Sequence, residues 1–345
     1  MWSVTDPAKR KHVLTLVNYA FRITHATPHV PVDNPVSLDR AGLARLRQEN
    51  YIVAYKADGT RYLLVLTLYN GRPLAVLVDR AGRIYSLHVQ AQWGHFHRNS
   101  VFDGELCSID GPIQHFLIFN ALLDQGQCLL DLPYPQRLQH VHNNFAAQTL
   151  TAEERRMITS FIVPMAPQLH FVCKEWDFAR NMRAMLHSVT PRYGTDGFVL
   201  TPVDQPVVSG RNAAMFKWKQ DHPIDVRATL RGLQLLLEVD DNGTPVPLHR
   251  VISHVNFQDA EPAWQQLLAG WALYNEIIHG GTGTFHHVVE LSCEHIAPSG
   301  FALQFMRLRP DKEGPNNVQT IQRTLQSILD GITQDELFEA CRSPV

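Results

Sequence analysis

Apolar residues recur at two different spacings along the chain, and the change of spacing predicts where helices give way to strands. Residues 8–21 carry apolar positions at helical spacing and follow Asp6 and Pro7, a pair that suits the start of a helix. After a Pro-rich loop, Ser37 is a candidate N-cap for a second helix. The N-terminal region is therefore predicted to be helical.

From residue 51 onward the pattern becomes that of short strands, rich in β-branched and aromatic residues and separated by turns. The predicted strands cover 51–55, 62–68, 74–78, 84–89, 101–109 and 114–122. Asn-Gly and Asp-Gly turns between some of them are typical of hairpins. The short connections predict an antiparallel meander.

Helical spacing returns in the middle of the chain and again at its end. The predicted helices cover 135–147, 151–161, 178–187, 262–278, 318–328 and 334–340. After residue 225 the segments between the helices are short strands separated by turns, and this pattern predicts a small β-barrel. These strands cover 226–230, 233–239, 246–251, 287–292 and 303–308.

These elements predict an α+β protein with three segments. Residues 1–225 form a catalytic domain of antiparallel sheets with flanking helices, and residues 226–328 form the barrel. Residues 329–345 form a C-terminal helix that is expected to pack back on the first domain.

Composition narrows the choice of partners and compartment. The net charge of −2 over 345 residues predicts that any contact with nucleic acid is local and does not depend on sequence. Five cysteines without C-x-x-C spacing predict reduced thiols. The sequence contains no apolar run of membrane-spanning length and no convincing signal peptide, so a soluble protein without membrane association is expected.

Histidine pairs raise a metal hypothesis that the spacing does not support. His95 and His97, and likewise His140 and His142, stand two residues apart, as two ligands on a strand can. Neither pair has a complete second pair at a usual spacing. Surface or core histidines are the favoured interpretation.

The string YKADGTR over residues 55–61 carries the most specific chemistry. It places Lys56 at the end of one predicted strand and Arg61 at the start of the next, with an Asp-Gly turn between them. A deprotonated lysine amine can attack a nucleotide α-phosphate, and a neighbouring arginine both favours that state and binds ribose or phosphate. Lys56 is therefore predicted to become covalently attached to a nucleotide. The alternative for this string alone is an ordinary hairpin turn.

Four further motifs follow in order along the chain. Glu105 lies on an apolar strand and Asp196 beside a Gly turn, so both carboxylates are candidates to face a metal. Lys217 and Lys219 alternate along a strand and share one side of it, which suits a triphosphate. The string RLRPDK over 307–312 adds a cationic cluster. Each motif alone has a plainer explanation, but their order favours one nucleotide site.

With these motifs in view, the chain resembles the mRNA capping enzyme guanylyltransferases of the covalent nucleotidyltransferase superfamily, in the compact form of large DNA viruses and fungi. The resemblance covers roughly residues 32–338. Three strings distinguish it from the related DNA ligases, namely NPVSLDR at 34–40, KEW at 174–176 and PVVSGRN at 206–212.

The resemblance implies a role for each matching residue in the first domain. Lys56 is the nucleophile, Arg61 and Arg80 contact ribose or phosphate, and Glu105 and Asp196 are carboxylates associated with Mg²⁺ or Mn²⁺. The base would stack on Phe119 and hydrogen-bond to Lys174, and the remaining phosphate contacts are Arg211, Lys217 and Lys219.

The resemblance also implies that the barrel is an OB-fold that closes over the nucleotide. Arg309, Asp311 and Lys312 would bind the β and γ phosphates of GTP, and Asp225 would lie near the reactive end. One departure from the family pattern is Asn120, because an aspartate usually follows the stacking aromatic.

The partners implied by the resemblance are GTP and RNA with a 5′-diphosphate end. The chain has neither a cysteine-phosphatase loop nor a methyltransferase-like Gly-rich turn. An RNA triphosphatase and a cap methyltransferase are therefore expected to act in trans, with RNA polymerase as a further candidate partner. The expected location is the nucleus for a cellular protein, and the host nucleus or a cytoplasmic factory for a viral one.

Two alternatives remain open. An ATP-dependent polynucleotide ligase would use the same lysine chemistry with a different nucleotide. A catalytically dead relative would serve as a scaffold for RNA polymerase or a triphosphatase. The scaffold is disfavoured because the nucleophile, the carboxylates and the cationic cluster are all present.

Overall fold

A computed structural model describes residues 2–24, 30–87, 98–108, 114–145, 169–231, 234–252, 255–256, 285–296, 300–310 and 312–342. The chain divides into two compact units. The first comprises Met1–Trp218 with Asp335–Val345, and the second comprises Lys219–Gln334. The division therefore assigns Lys219 and Asp225 to the second unit, whereas the sequence placed them in the first domain. The predicted helices at 151–161 and 262–278 lie outside the described residues.

The described secondary structure consists of strands in long runs with helices between them and two helices at the end. The helices are α1 (Pro7–Ala20), α2 (Arg40–Leu46), α3 (Tyr134–Phe145), α4 (Met182–Ser188), α5 (Val318–Asp330) and α6 (Gln334–Cys341). The strands up to residue 128 are β1 (Trp2–Ser3), β2 (Asn34–Ser37), β3 (Tyr51–Ala57), β4 (Thr60–Tyr69), β5 (Arg72–Asp79), β6 (Ile84–Leu87), β7 (Ser100–Ser108), β8 (Gln114–Asp124) and β9 (Gln127–Cys128). The later strands are β10 (Leu169–Cys173), β11 (Trp176–Phe178), β12 (Thr195–Pro202), β13 (Arg211–Lys219), β14 (Ile224–Arg231), β15 (Gln234–Asp241), β16 (Thr244–Pro247), β17 (Val255–Asn256), β18 (Phe285–Ile296) and β19 (Gly300–Leu308).

The start of α1 is confirmed and the start of α2 is corrected. The Asp6 side chain accepts hydrogen bonds from the first amides of α1, with Pro7 at its first position. Helix α2 is capped by Asp39, whose Oδ1 accepts from the amide of Gly42 at 2.7 Å. Ser37 cannot begin this helix because it is the last residue of β2, which pairs in parallel with β13.

Two sheets make up most of the first unit. One has the order β1-β6-β5-β4-β7-β8-β10, with β9 also paired to β8, and the other has the order β11-β3-β12-β13-β2. Most pairs are antiparallel, but β10 runs parallel to β8 and β13 runs parallel to β2. The antiparallel sheets with flanking helices predicted from the sequence are therefore confirmed.

The predicted meander, in contrast, is wrong at two points. Strand β3 does not pair with β4, because both of its edges are hydrogen-bonded to β11 and β12 in the other sheet. Strand β7 pairs with β4 rather than with β6. Strand β6 ends at Leu87 and β7 begins at Ser100, so the hairpin rule for short links does not apply to this connection.

Helices cover both faces of the larger sheet. Alternate residues of β4 point to opposite faces, so Leu63 packs in a core with Val13 of α1, while Leu64 packs in a core with Val141 and Phe145 of α3. Burial on both sides explains the continuous apolar run of this strand. It also fixes α3 against the sheet, with the first turn of the helix near β8.

The second unit is built on one six-stranded sheet with the order β16-β15-β14-β18-β19-β17. Its apolar face packs Val226 and Val289 against Ile321 and Leu325 of α5. Between the described strands no pairing joins β16 to β17, and the closure of the predicted barrel stays a prediction. In the described parts of the chain no helix is long and apolar enough to cross a membrane. All five cysteines are free thiols.

Candidate active site

The turn between β3 and β4 carries the chain from one sheet of the first unit to the other. Lys56 therefore stands on one sheet and Arg61 on the other, with a cleft between them. Glycine is required in this turn because a Cβ at Gly59 would lie 2.5 Å from the carbonyl oxygen of Leu106 and 2.6 Å from Cys107 Sγ. The close approach places the turn against β7, the strand that carries Glu105.

The cleft contains a cavity of about 160 Å³ whose wall includes five of the predicted site residues. They are Lys56, Arg61, Glu105, Phe119 and Lys174. These residues come from four separate stretches of the chain, because only Lys56 and Arg61 are close in sequence, so their convergence depends on the fold.

A β-bulge brings a carboxylate to Lys56. Along β12 the pairing with β3 shifts so that Asp196 and Gly197 together oppose Lys56. Gly197 has φ of 145°, a conformation that favours glycine. The Lys56 amine donates to Asp196 Oδ1 at 2.8 Å, and the two side chains are 22% and 32% exposed.

Arg61 is held by the protein on two sides. Its Nε and Nη2 donate to the two carboxylate oxygens of Asp103, a residue with a fully buried side chain, and its Nη1 donates to the carbonyl of Asp33. The bidentate geometry fixes the plane of the guanidinium. Asp103 was not identified from the sequence, although it stands two residues before Glu105 in the same motif.

Phe119 projects from a second bulge. Asn120 pairs with Asp103 and Ile118 pairs with Gly104, which leaves Phe119 as the extra residue of β8. The Lys174 amine lies 5.0 Å from the centre of the Phe119 ring. Burial lowers the pKa of Lys174. The pair therefore offers an aromatic face and a buried amine to a planar ligand.

Glu105, the other carboxylate in the cavity wall, is half-buried and has three cations near it. Burial raises the pKa of Glu105, while Lys174, Lys56 and Arg61 act in the opposite direction. Across the described ranges no three His, Cys, Asp or Glu side chains lie close enough together to hold a metal by themselves.

Asp196 and four other residues predicted for this site are outside the wall of this cavity, as far as the described residues define it. Arg80 is exposed directly after β5, and Arg211 is exposed at the start of β13. Lys217 is half-buried and shares a side of β13 with Met215, which does line the cavity. Lys219 is the last residue of that strand.

The second unit gathers the C-terminal cations around two acids. Arg309 Nη1 donates at 3.0 Å both to Asp225 Oδ1 and to Glu290 Oε1, and Arg307 Nε donates to Glu290 Oε2. Lys312 Nζ lies 3.7 Å from Asp225 Oδ2. Arg309 and Lys312 also line a cavity of about 670 Å³ within this unit. Asp311 lies outside the described residues.

Two residues of α3 contact the Phe119 bulge and were missed by the sequence interpretation. The Tyr134 hydroxyl donates to the carbonyl of Phe119 at 2.8 Å, and Arg137 Nε donates to Asn120 Oδ1 at 3.0 Å. A fully buried arginine carries no local sequence signal, because arginine on a helix usually faces solvent. Asn120, the departure from the family pattern, is thus the neutral partner of a buried cation.

Comparison with known proteins gives matches along almost the whole chain. The family model described as mRNA capping enzyme, catalytic domain, matches residues 5–221, and that of the mRNA capping enzyme C-terminal domain matches residues 247–338. The mRNA-capping enzyme subunit alpha of Schizosaccharomyces pombe is 25% identical over 96% of this chain and 85% of its own length. The subunit alpha of Neurospora crassa is 28% identical over 90% of this chain and 84% of its own length. The mRNA-capping enzyme of Danio rerio is 23% identical over 90% of this chain and 49% of its own length.

Proposed function

The chain belongs to the mRNA capping enzyme family, and we propose that it transfers GMP from GTP to the 5′-diphosphate end of RNA through a lysyl-GMP intermediate. The observation that carries this proposal is the position of the Lys56 amine. It lies in the wall of a cavity that also presents Phe119 and Lys174, so one nucleotide can reach both the nucleophile and the base platform. Such convergence is what covalent nucleotidyl transfer requires.

In the first step the nitrogen of Lys56 attacks the α-phosphorus of GTP. A phosphorus–nitrogen bond forms, the bond to the β-phosphate oxygen breaks, and pyrophosphate leaves with the electron pair. The attacking amine must lose a proton, and Asp196 Oδ1 at 2.8 Å is an acceptor within reach. Arg61, fixed by Asp103, presents a cation that does not need to reorganise during the reaction.

In the second step a terminal oxygen of the RNA diphosphate attacks the same phosphorus. The phosphorus–nitrogen bond breaks, the lysine nitrogen recovers a proton, and the RNA carries the GMP away as a cap. Release of pyrophosphate must come first because both groups occupy the same side of the α-phosphate.

A divalent cation fits the donor set of the cleft. Mg²⁺ commonly binds through one or two carboxylates together with substrate phosphates, and Glu105 and Asp196 are the oxygen donors that would hold Mg²⁺ or Mn²⁺. When bound, the cation would offset the negative charge that builds on the phosphates.

The proposed partners follow from the two steps. GTP and 5′-diphosphate RNA are the substrates, and an RNA triphosphatase would supply the diphosphate end. A cap methyltransferase would act on the product, and RNA polymerase is the candidate that recruits the chain to new transcripts. The fungal relatives carry the name subunit alpha, which supports a separate partner subunit. The location follows the source, in the nucleus of a cell or, for a virus, in the host nucleus or a cytoplasmic factory.

The decisive test is an intact-mass measurement. The purified chain is incubated with Mg²⁺ and either GTP or ATP, and the mass of the protein is compared before and after. An adduct of one GMP, removed again by added pyrophosphate, is the expected result. An adduct only with ATP would instead assign the chain to the ligase class, and no adduct with either nucleotide would favour a scaffold.

A further inference from the structure

The backbone of the Phe119 bulge is held by a side chain. A bulged residue leaves part of its backbone outside the ladder of hydrogen bonds, and a buried carbonyl there needs another donor. The Tyr134 hydroxyl supplies it at 2.8 Å. Tyr134 is buried, and its ring also forms part of the cavity wall. The bulge is therefore tied to the first turn of α3.

Arg137, one turn further along α3, holds the neighbouring position of the bulge. Its Nε donates to Asn120 Oδ1, and its Nη1 donates to the carbonyls of Leu132 and Gln205. Its guanidinium carbon lies 5.2 Å from the centre of the Tyr134 ring. These acceptors are neutral, although the arginine side chain is only 1% exposed.

A buried arginine with neutral acceptors is costly, so its retention needs a reason. Burial lowers the pKa of Arg137, which reflects that cost. The geometry supplies a reason, because Arg137 packs against Tyr134, which bonds to the carbonyl of Phe119, and donates to Asn120, the residue that follows Phe119.

We propose that Tyr134 and Arg137 are positioning residues that fix the Phe119 ring, and thereby set the affinity of the cleft for the base of its nucleotide. This inference rests on the proposed function, since it takes GTP as the nucleotide. Neither residue would touch the reacting phosphate. Their loss should therefore weaken nucleotide binding and leave the rate of the covalent step nearly unchanged.

The test compares two tyrosines that each donate to a backbone carbonyl. Tyr134→Phe removes the hydrogen bond to Phe119, and the control Tyr51→Phe removes the bond from the equally buried Tyr51 to the carbonyl of Ala214. The rate of GMP-adduct formation is measured against GTP concentration. Tyr134→Phe is expected to raise KM roughly twofold to tenfold, the range for one neutral hydrogen bond, with kcat changed less than about twofold. The control should leave KM unchanged.

A second variant tests the part assigned to Arg137. Asn120→Asp gives this arginine an anionic acceptor, and charge-assisted hydrogen bonds are about twice as strong as neutral ones. Added to Tyr134→Phe, it is expected to recover at least half of the lost affinity for GTP.

The outcomes separate the two levels of the hypothesis. If Tyr134→Phe leaves KM unchanged, or if the Tyr51→Phe control raises it equally, the positioning role is overturned. Failure of Asn120→Asp to recover affinity overturns the role of Arg137. The parent protein is the reference for the function itself, because absence of a GMP adduct there would reject the proposed reaction rather than the positioning roles.

Discussion

The two units hold their cations in different ways. In the first unit Lys56 contacts Asp196 in a pair that is partly open to solvent, with side chains 22% and 32% exposed. In the second unit Arg309 lies between Asp225 and Glu290, whose side chains are only 11% and 9% exposed. Both cations line cavities, but Lys56 is paired with one partly exposed acid, whereas Arg309 is paired with two buried ones.

This difference determines what a ligand must supply. A partly exposed ion pair contributes about 0–1 kcal/mol, so Lys56 can leave Asp196 for a phosphate at little cost. Removing one partner of a buried pair costs about 3–5 kcal/mol. Arg309 is therefore expected to engage only an anion that carries several charges, as the β and γ phosphates of GTP do. Lys56 can therefore bind a phosphate with little change in its contacts, whereas Arg309 must leave Asp225 and Glu290 to do so.

The largest expected effect is at the nucleophile. Lys56→Ala should abolish the GMP adduct, and Lys56→Arg should also fail because guanidinium stays protonated. The melting temperature should change little, because the side chain lies at a cavity wall and its ion pair is weak. Intact mass after incubation with GTP checks the adduct, and the exposed Lys11→Ala is the control that should retain it. An adduct that persists in Lys56→Ala would move the nucleophile elsewhere.

The second prediction separates binding from folding in the second unit. Arg309→Ala should destabilise the chain by roughly 3–5 kcal/mol because it removes the cation that two buried acids share. Lys312→Ala should cost less than about 1 kcal/mol, since the lysine is 41% exposed and 3.7 Å from Asp225. Chemical denaturation of both variants measures this difference. Equal destabilisation would contradict the contrast between the two clusters.

Lys312→Ala is therefore the cleaner probe of phosphate binding. Its adduct formation is expected to slow by about 100-fold, because a cation that stabilises the departing pyrophosphate acts in the first step. Transfer from an adduct that has been allowed to accumulate to diphosphate-ended RNA should be much less affected. Both half-reactions are followed separately by gel. Equal losses in the two steps would assign Lys312 to RNA binding instead.

The third prediction concerns the base platform. Lys174→Ala should raise the GTP concentration needed for adduct formation at least about tenfold, because a hydrogen bond to a charged group contributes about 1.5–3 kcal/mol. The preference for GTP over ATP should fall with it, since the proposed acceptor belongs to guanine. Competition between the two nucleotides in one reaction measures both effects. Unchanged preference would leave Phe119 stacking as the sole base contact of the hypothesis.

Features that depend on neighbouring residues were predictable from the sequence. The Lys56–Arg61 turn, the start of α1 at Asp6 and most strands of both units lie where the pattern placed them. Each relies on local preferences, such as an Asp-Gly turn or a side chain that caps the next amides. The same local reasoning failed for Ser37 because tertiary pairing of β2 with β13 overrides a capping preference.

Features that depend on pairing between distant segments could not be predicted. The bulges that aim Asp196 at Lys56 and project Phe119 exist only in the register of two strands far apart in sequence. The assignment of β3 and β4 to different sheets likewise follows from which partners occupy their edges. The burial of Arg137 is visible only once α3 is packed on the sheet. The sequence therefore predicts local elements more reliably than how distant segments meet.

The smallest expected effect concerns a buried acid of the first unit, in contrast to the arginine-paired acids of the second. Asp33 Oδ1 accepts from the amide of Val208 and from the side chain of Asn212. Burial raises its pKa from 3.8 to about 6. The folded state therefore holds a proton that the unfolded chain has already released between about pH 4 and pH 6, and the stability contributed by this group falls as pH rises through that window.

Asp33→Asn should be more stable than the parent by roughly 1 kcal/mol at pH 7, with the difference vanishing as pH is lowered towards 4. Denaturation at a series of pH values measures the two free energies of unfolding, with the exposed Asp221→Asn as a control that should run parallel to the parent. A difference that stays constant with pH would mean that Asp33 is ionised throughout, held by the charges of Arg61 and Arg137 as firmly as the acids of the second unit are held by Arg309.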